Sequence, residues 1–194
     1  MIKFNAKKKE DFSGLIADEK IANTLLDRHI YFLTGDINED NIRGVMQWLV
    51  YENMESNRQK ILQLYINSEG GSLYDAFGLI DMMHSSNYPI RTIAVGTLMS
   101  AAFLIFSAGT KGERYIYRNT GIMCHQFYSG TDGKYHDIKA QAKENDYCNE
   151  RMISILQRSS ELEISTIKKK LLQPSDAYFK AEELVQLGIA DHII

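Results

Sequence analysis

Beyond its first two dozen residues, the chain alternates short apolar runs with longer stretches that carry apolar residues at helical spacing. Residues 29–33 (HIYFL) are closed by Thr34-Gly35 and predict a buried strand. From 38 to 54, Ile42, Val45, Met46, Leu49 and Val50 mark one helical face. Residues 61–66 (ILQLYI) predict a second strand, ended by Asn67-Ser68-Glu69-Gly70-Gly71. Leu73, Ala76, Phe77, Ile80 and Met83 mark another helix, and residues 90–95 a third strand stopped by Gly96. Residues 100–108 are apolar on all sides and predict a buried helix. Short strands follow at 113–117 and 122–124, then a polar loop or exposed hairpin at 126–134. A long helix is expected over 136–160, with Cys148, Met152, Ile155 and Leu156 on one face, and a further helix over 164–172. A short helix over 182–187 ends with Gly188 as its C′ residue, and residues 189–194 predict a last strand. Strands alternating with helices indicate an α/β fold around a largely parallel sheet. Such sheets place their sites beyond the carboxyl ends of the strands, here residues 67–72, 96–101 and 125–127.

Composition narrows the class. The 194 residues are 44% hydrophobic and 24% charged, an ordinary globular balance that excludes a disordered chain, a collagen or a coiled coil. The net charge of −3 gives no electrostatic reason to expect nucleic-acid binding. Two cysteines, Cys124 and Cys148, without a CxxC pair, imply neither a disulfide framework nor a zinc knuckle and fit a reducing, cytoplasmic compartment. The first 20 residues contain no apolar core of a signal peptide. The uncharged run from 92 to 110 approaches bilayer-spanning length, but Gly96, Thr97, Ser100, Ser107 and Gly109 interrupt it. A buried strand, a glycine turn and a buried helix account for it without a membrane. No linker divides the chain, so the expectation is a mobile amino-terminal arm over 1–25 and a single domain over 26–194.

Three candidate groups fall at the predicted strand ends. Ser100 opens the buried helix, where it is either an N-cap or a nucleophile with a base beside it. The Gly70-Gly71 pair suits either a tight turn or, through its own N–H groups, an oxyanion hole, and no GK[ST] follows to make a phosphate loop. His125 ends an apolar strand and is the residue type whose pKa suits it to activate a serine. His29, His84, His136 and His192 form no HxxxH or HExxH pair, which argues against a metal site. An orienting carboxylate is needed: Asp176 lies between two elements, while spacing leaves Asp132, Asp146 and Asp191 open.

The order of the motifs adds to these types. Leu64-Tyr65-Ile66-Asn67-Ser68-Glu69-Gly70-Gly71, Gly96-Thr97-Leu98-Met99-Ser100-Ala101-Ala102, Met123-Cys124-His125-Gln126, Asp176-Ala177-Tyr178-Phe179 and Gly188-Ile189-Ala190-Asp191 follow in sequence. Together they closely resemble the Clp protease proteolytic subunit (ClpP) family of serine peptidases, over about residues 26–193. The resemblance implies the α/β fold of the ClpP/crotonase type, with repeated β-β-α-like units, a head domain and a protruding handle over about 126–160. It implies Ser100 as nucleophile, His125 as general base, Asp176 as orienting carboxylate, and the backbone N–H groups of Gly71 and Ala101 as oxyanion hole. It also implies a heptameric ring or two stacked rings, fed with unfolded polypeptide by an AAA+ Clp unfoldase that uses the ATP. No cofactor is implied for the subunit itself. A catalytically silent ring subunit is the alternative function on the same fold. Glu69 stands where the family usually has proline.

Overall fold

The computed structural model describes residues 17–54 and 59–194. The chain runs α1 (Ala17–Asp27), β1 (Ile30–Thr34), α2 (Glu39–Met54), β2 (Leu62–Ser68), α3 (Leu73–His84), β3 (Ile90–Met99) and α4 (Ala101–Ser107). It continues with β4 (Arg114–Ile116), β5 (Gly121–Cys124), α5 (Tyr135–Ser160), α6 (Ile164–Thr166), β6 (Ala177–Phe179), α7 (Ala181–Gln186) and β7 (His192–Ile193). A π-helical turn, Ile167–Leu171, extends α6. Part of the expected amino-terminal arm is therefore helix α1, while residues 1–16 of that arm lie outside the described residues. The expected strand over 189–194 shrinks to β7, because residues 187–190 complete the end of α7. There Gly188, at φ +69°, donates to Val185 O, and the Ile189 N–H reaches Leu184 O, a Schellman ending with glycine at C′ as expected.

The sheet is largely parallel, as the alternation predicts. Strands lie in the order β1-β2-β3-β4-β7, all parallel; β5 also runs parallel to β3, and among the described residues only β6 is antiparallel, on β5. Leu62, Leu64 and Ile66 of β2 alternate inward, and the buried faces of α2, α3 and α5 pack against the same core. All seven residues of α4 are buried, so this helix lies within the core rather than upon it. The uncharged run is thus the end of a central strand followed by a core helix. Among the described residues no helix is long and apolar enough to cross a membrane.

Strand β3 differs from the sequence expectation in a way that builds the site. Gly96 does not end it. The pairing with β2 slips between Ile66↔Ala94 and Ser68↔Leu98, so β3 carries a bulge centred on Gly96, which sits at φ +71°. Before the bulge β3 pairs with β4 through Thr92–Ala94; after it, with β5 through Thr97–Met99. The bulge lets one strand serve two neighbours and carries its end on to Ser100.

Candidate active site

Register alone brings the three candidate side chains together. Strand β3 pairs Met99 with Met123 of β5, and the Ser100 N–H donates to Met123 O at 3.0 Å, so Ser100 sits beside the carboxyl end of β5. The antiparallel pair β5–β6 ends at Cys124↔Ala177. One step further along the same register, His125 and Asp176 face each other. Adjacent strands lie about 4.8 Å apart, and at that spacing an imidazole can touch a side chain on either side.

It does. His125 Nε2 lies 2.8 Å from Ser100 Oγ, and His125 Nδ1 lies 3.2 Å from Asp176 Oδ1. Ser100 makes no side-chain capping bond to α4, so its hydroxyl is spent on the histidine rather than on the helix. Its backbone, at φ 53° and ψ −123°, occupies a region that costs a non-glycine residue on the order of 1–3 kcal/mol. Bonds on both sides hold it there, from Ser100 N to Met123 O and from Phe103 N to Ser100 O. A strained serine on a sharp strand-to-helix turn projects its oxygen away from the backbone on both sides.

The remaining carboxylate open on spacing with a buried partner is committed elsewhere. Asp191 accepts from Arg114 Nε and Nη2 at 2.8 and 2.7 Å, and from the N–H groups of Gly112 and Arg114. Burial alone works to raise its pKa, but these donors outweigh it and hold the Asp191 carboxyl below the usual range. Beneath His125, burial pushes the Cys124 thiol up to about 12, which makes it an inert packing group rather than a rival nucleophile.

The glycine loop lies against the serine. A Cβ placed on Gly70 would meet Ser100 Cβ at 2.7 Å and Met99 O at 2.9 Å, with φ at +105°. A Cβ on Gly71 would meet Ile37 O at 2.3 Å. Only glycine permits this approach. The loop is fixed without a proline: Ser68 Oγ accepts the Gly70 N–H at 3.0 Å, Ile37 N donates to Gly70 O at 2.8 Å and Ser72 N to Ile37 O at 2.7 Å. Glu69 is exposed and its charge faces water. Ala101 is the first residue of α4, so its N–H has no acceptor within the helix.

Two supporting residues carry roles that the sequence reading did not assign. Asn67 Oδ1 accepts the Thr97 N–H at 2.9 Å and fills the space that a side chain at Gly96 would need. Gln126 Nε2 donates to Leu172 O at 3.0 Å, tying the segment after His125 to the end of the π-helical turn. Their only signal in sequence is their place inside the quoted motifs. The site opens into a cleft of ≈ 390 Å³ walled by Leu73, Tyr74, Phe127, Gln141 and Asn145 besides Ser100 and His125. Residues 126–134 between β5 and α5 form no helix or strand, so the open choice at that stretch resolves as a loop.

A parallel sheet with a core helix behind its central strand, and a serine, a histidine and an aspartate gathered at its carboxyl edge, define an α/β protein of the ClpP type. The comparisons agree. The family model described as Clp protease matches residues 16–194. Similar curated proteins include the ATP-dependent Clp protease proteolytic subunit 1 of Prochlorococcus marinus subsp. pastoris, 34% identical over 90% of this chain and 87% of that protein. The same subunit of P. marinus strain MIT 9312 is 32% identical over 90% of this chain and 88% of its own length. That of Rhodopirellula baltica is 29% identical over 90% of this chain and 75% of its length. The chain belongs to the Clp protease family.

Proposed function

We propose that this chain is a serine endopeptidase in which Ser100, His125 and Asp176 form the working relay. The observation that carries the reading is the single imidazole that touches the serine hydroxyl on one nitrogen and the carboxylate on the other. Ser100 Oγ attacks the carbonyl carbon of the scissile peptide while His125 Nε2 takes its proton. The N–H groups of Gly71 and Ala101 receive the oxyanion of the tetrahedral intermediate, at about 3–4 kcal/mol of barrier per donor. Nε2 then returns the proton to the leaving amine. Water, deprotonated by the same nitrogen, releases the acyl group from Ser100. Asp176 keeps the Nδ1 proton in place, so that Nε2 is free to act as base. Apart from the substrate and water, every group in these steps is a side chain or amide of this chain, and they call on no cofactor.

The family supports the setting: rings of this subunit, in one layer or two, enclosing the sites and receiving unfolded polypeptide from an AAA+ Clp unfoldase in the cytoplasm. The relatives' own names make them ATP-dependent. In this reading ATP is consumed by the unfoldase, and short peptides reach the site without it. The intact hydrogen-bond chain supports an active subunit over a silent one. The test is hydrolysis of a short fluorogenic peptide by the chain alone. Ser100→Ala is expected to reduce kcat/KM by about 10³-fold or more while leaving the fold intact; equal cleavage by the variant overturns the assignment.

A further inference from the structure

The cleft beside Ser100 has a wall that the hydrolytic relay does not use. Gln141 and Asn145 stand one turn apart on α5 and line the same cleft as Ser100 and His125. Ser129 Oγ donates to Asn145 Oδ1 at 3.1 Å, and Gln141 Nε2 donates to the same oxygen at 3.2 Å. These bonds turn the carbonyl side of Asn145 towards Ser129 and Gln141. They leave the Asn145 Nδ2 hydrogens and Gln141 Oε1 without a partner among the described residues. Both side chains are half-buried, so the free donor and acceptor are partly shielded from water. Among the described residues no Asp, Glu, Lys or Arg lines the cleft. Glu144, on the same helix between Gln141 and Asn145, is instead held by Tyr74 OH at 3.0 Å and Arg151 Nη1 at 3.2 Å. The flanks, Leu73 and Phe127, are apolar.

We propose that this cleft receives the side chain on the acyl side of the scissile bond, and that Asn145 with Gln141 makes it select an uncharged carboxamide, glutamine or asparagine. The carboxamide oxygen accepts from Asn145 Nδ2, its NH₂ donates to Gln141 Oε1, and its methylenes lie between Leu73 and Phe127. A leucine of similar size covers both half-buried amides without pairing them, which is the costly outcome for polar groups shielded from water. A glutamate or lysine meets no counter-charge there. The inference rests on Ser100 being the working nucleophile, as proposed above.

The test ranks kcat/KM of the full chain on fluorogenic peptides that differ only at that residue: Gln, Leu, Glu or Lys. Gln is expected to exceed Leu by ~3- to 10-fold, the ratio of one or two net hydrogen bonds. Asn145→Leu is expected to invert the ratio, with circular dichroism showing that the variant folds. Asn145→Asp keeps the shape, exchanges donor for acceptor, and is expected to move the preference from Gln to Lys. Where turnover is too slow to rank, peptide aldehydes carrying Gln or Leu are ranked by how well they protect Ser100 from a fluorophosphonate, with the same order expected. A native preference for Leu, or a ratio that neither variant moves, overturns the inference while cleavage itself upholds the peptidase. No cleavage together with no label on Ser100 overturns the peptidase reading, and the inference with it.

Discussion

At the scale of single residues, the site depends on atoms that can do only one thing where they stand. The Ser100 hydroxyl lies 2.8 Å from His125 Nε2 and makes no bond to α4, which is why it is proposed as nucleophile rather than cap. Asp176 is half-exposed, so in the proposed relay it acts by holding the imidazole tautomer rather than through a strong ion pair. Asp176→Asn keeps the shape and favours the wrong tautomer. It is expected to lower kcat on the order of 10³- to 10⁴-fold with KM little changed, measured on the same peptide; an unchanged kcat removes Asp176 from the relay. Ser100, His125 and the Gly70-Gly71 pair were legible because each stands at a predicted strand end next to a glycine or an apolar run. Spacing alone did not separate Asp176 from Asp191, since Arg114 lies 77 positions away and no local pattern announces a buried pair; only the order of the motifs pointed to Asp176.

At the scale of elements, the decisive feature is the bulge in β3. A glycine after an apolar run reads as a terminator, and the expected strand ended there. The strand instead continues to Met99, because Asn67 supplies the Thr97 N–H with an acceptor across the irregularity. Gly96→Ala places a Cβ 2.7 Å from Asn67 Oδ1 at φ +71°. It is expected to cost about 1–3 kcal/mol and to lower activity by shifting Ser100 against β5; urea unfolding and peptide hydrolysis read the two effects, and a neutral result on both counts contradicts the role given to the bulge. Strand β6 escaped the sequence reading for a related reason. Three residues, Ala177–Phe179, carry too little periodicity to declare a strand. Yet its register on β5 is what sets Asp176 opposite His125. The π-helical turn was likewise hidden inside an ordinary helical pattern.

At the scale of the whole molecule, alternation of strands and helices was enough to give the parallel α/β sheet, and ordered motifs were enough to give the family. What ties the carboxyl-terminal segment to the sheet is less visible: the Arg114–Asp191 pair joins β4 to the chain entering β7, and Arg114 also donates to Ser159 O at the end of α5. Arg114 is 1% exposed, so removing its partner leaves a buried charge. Asp191→Asn is expected to cost about 3–5 kcal/mol in urea unfolding near neutral pH. Because the folded Asp191 carboxyl is depressed, its contribution is present above the unfolded carboxylate value and fades as pH falls through the folded one. The gap between native and variant therefore narrows in acid; a constant gap contradicts the ion pair. The central claim is that folding alone makes one serine out of the whole chain reactive. Its most direct measurement is intact mass and peptide mapping after a fluorophosphonate is added to the native chain, to His125→Ala and to the urea-unfolded chain. A single adduct on Ser100 in the native chain, absent from the other two, is the predicted result; no adduct on Ser100, or equal labelling of all three, contradicts it.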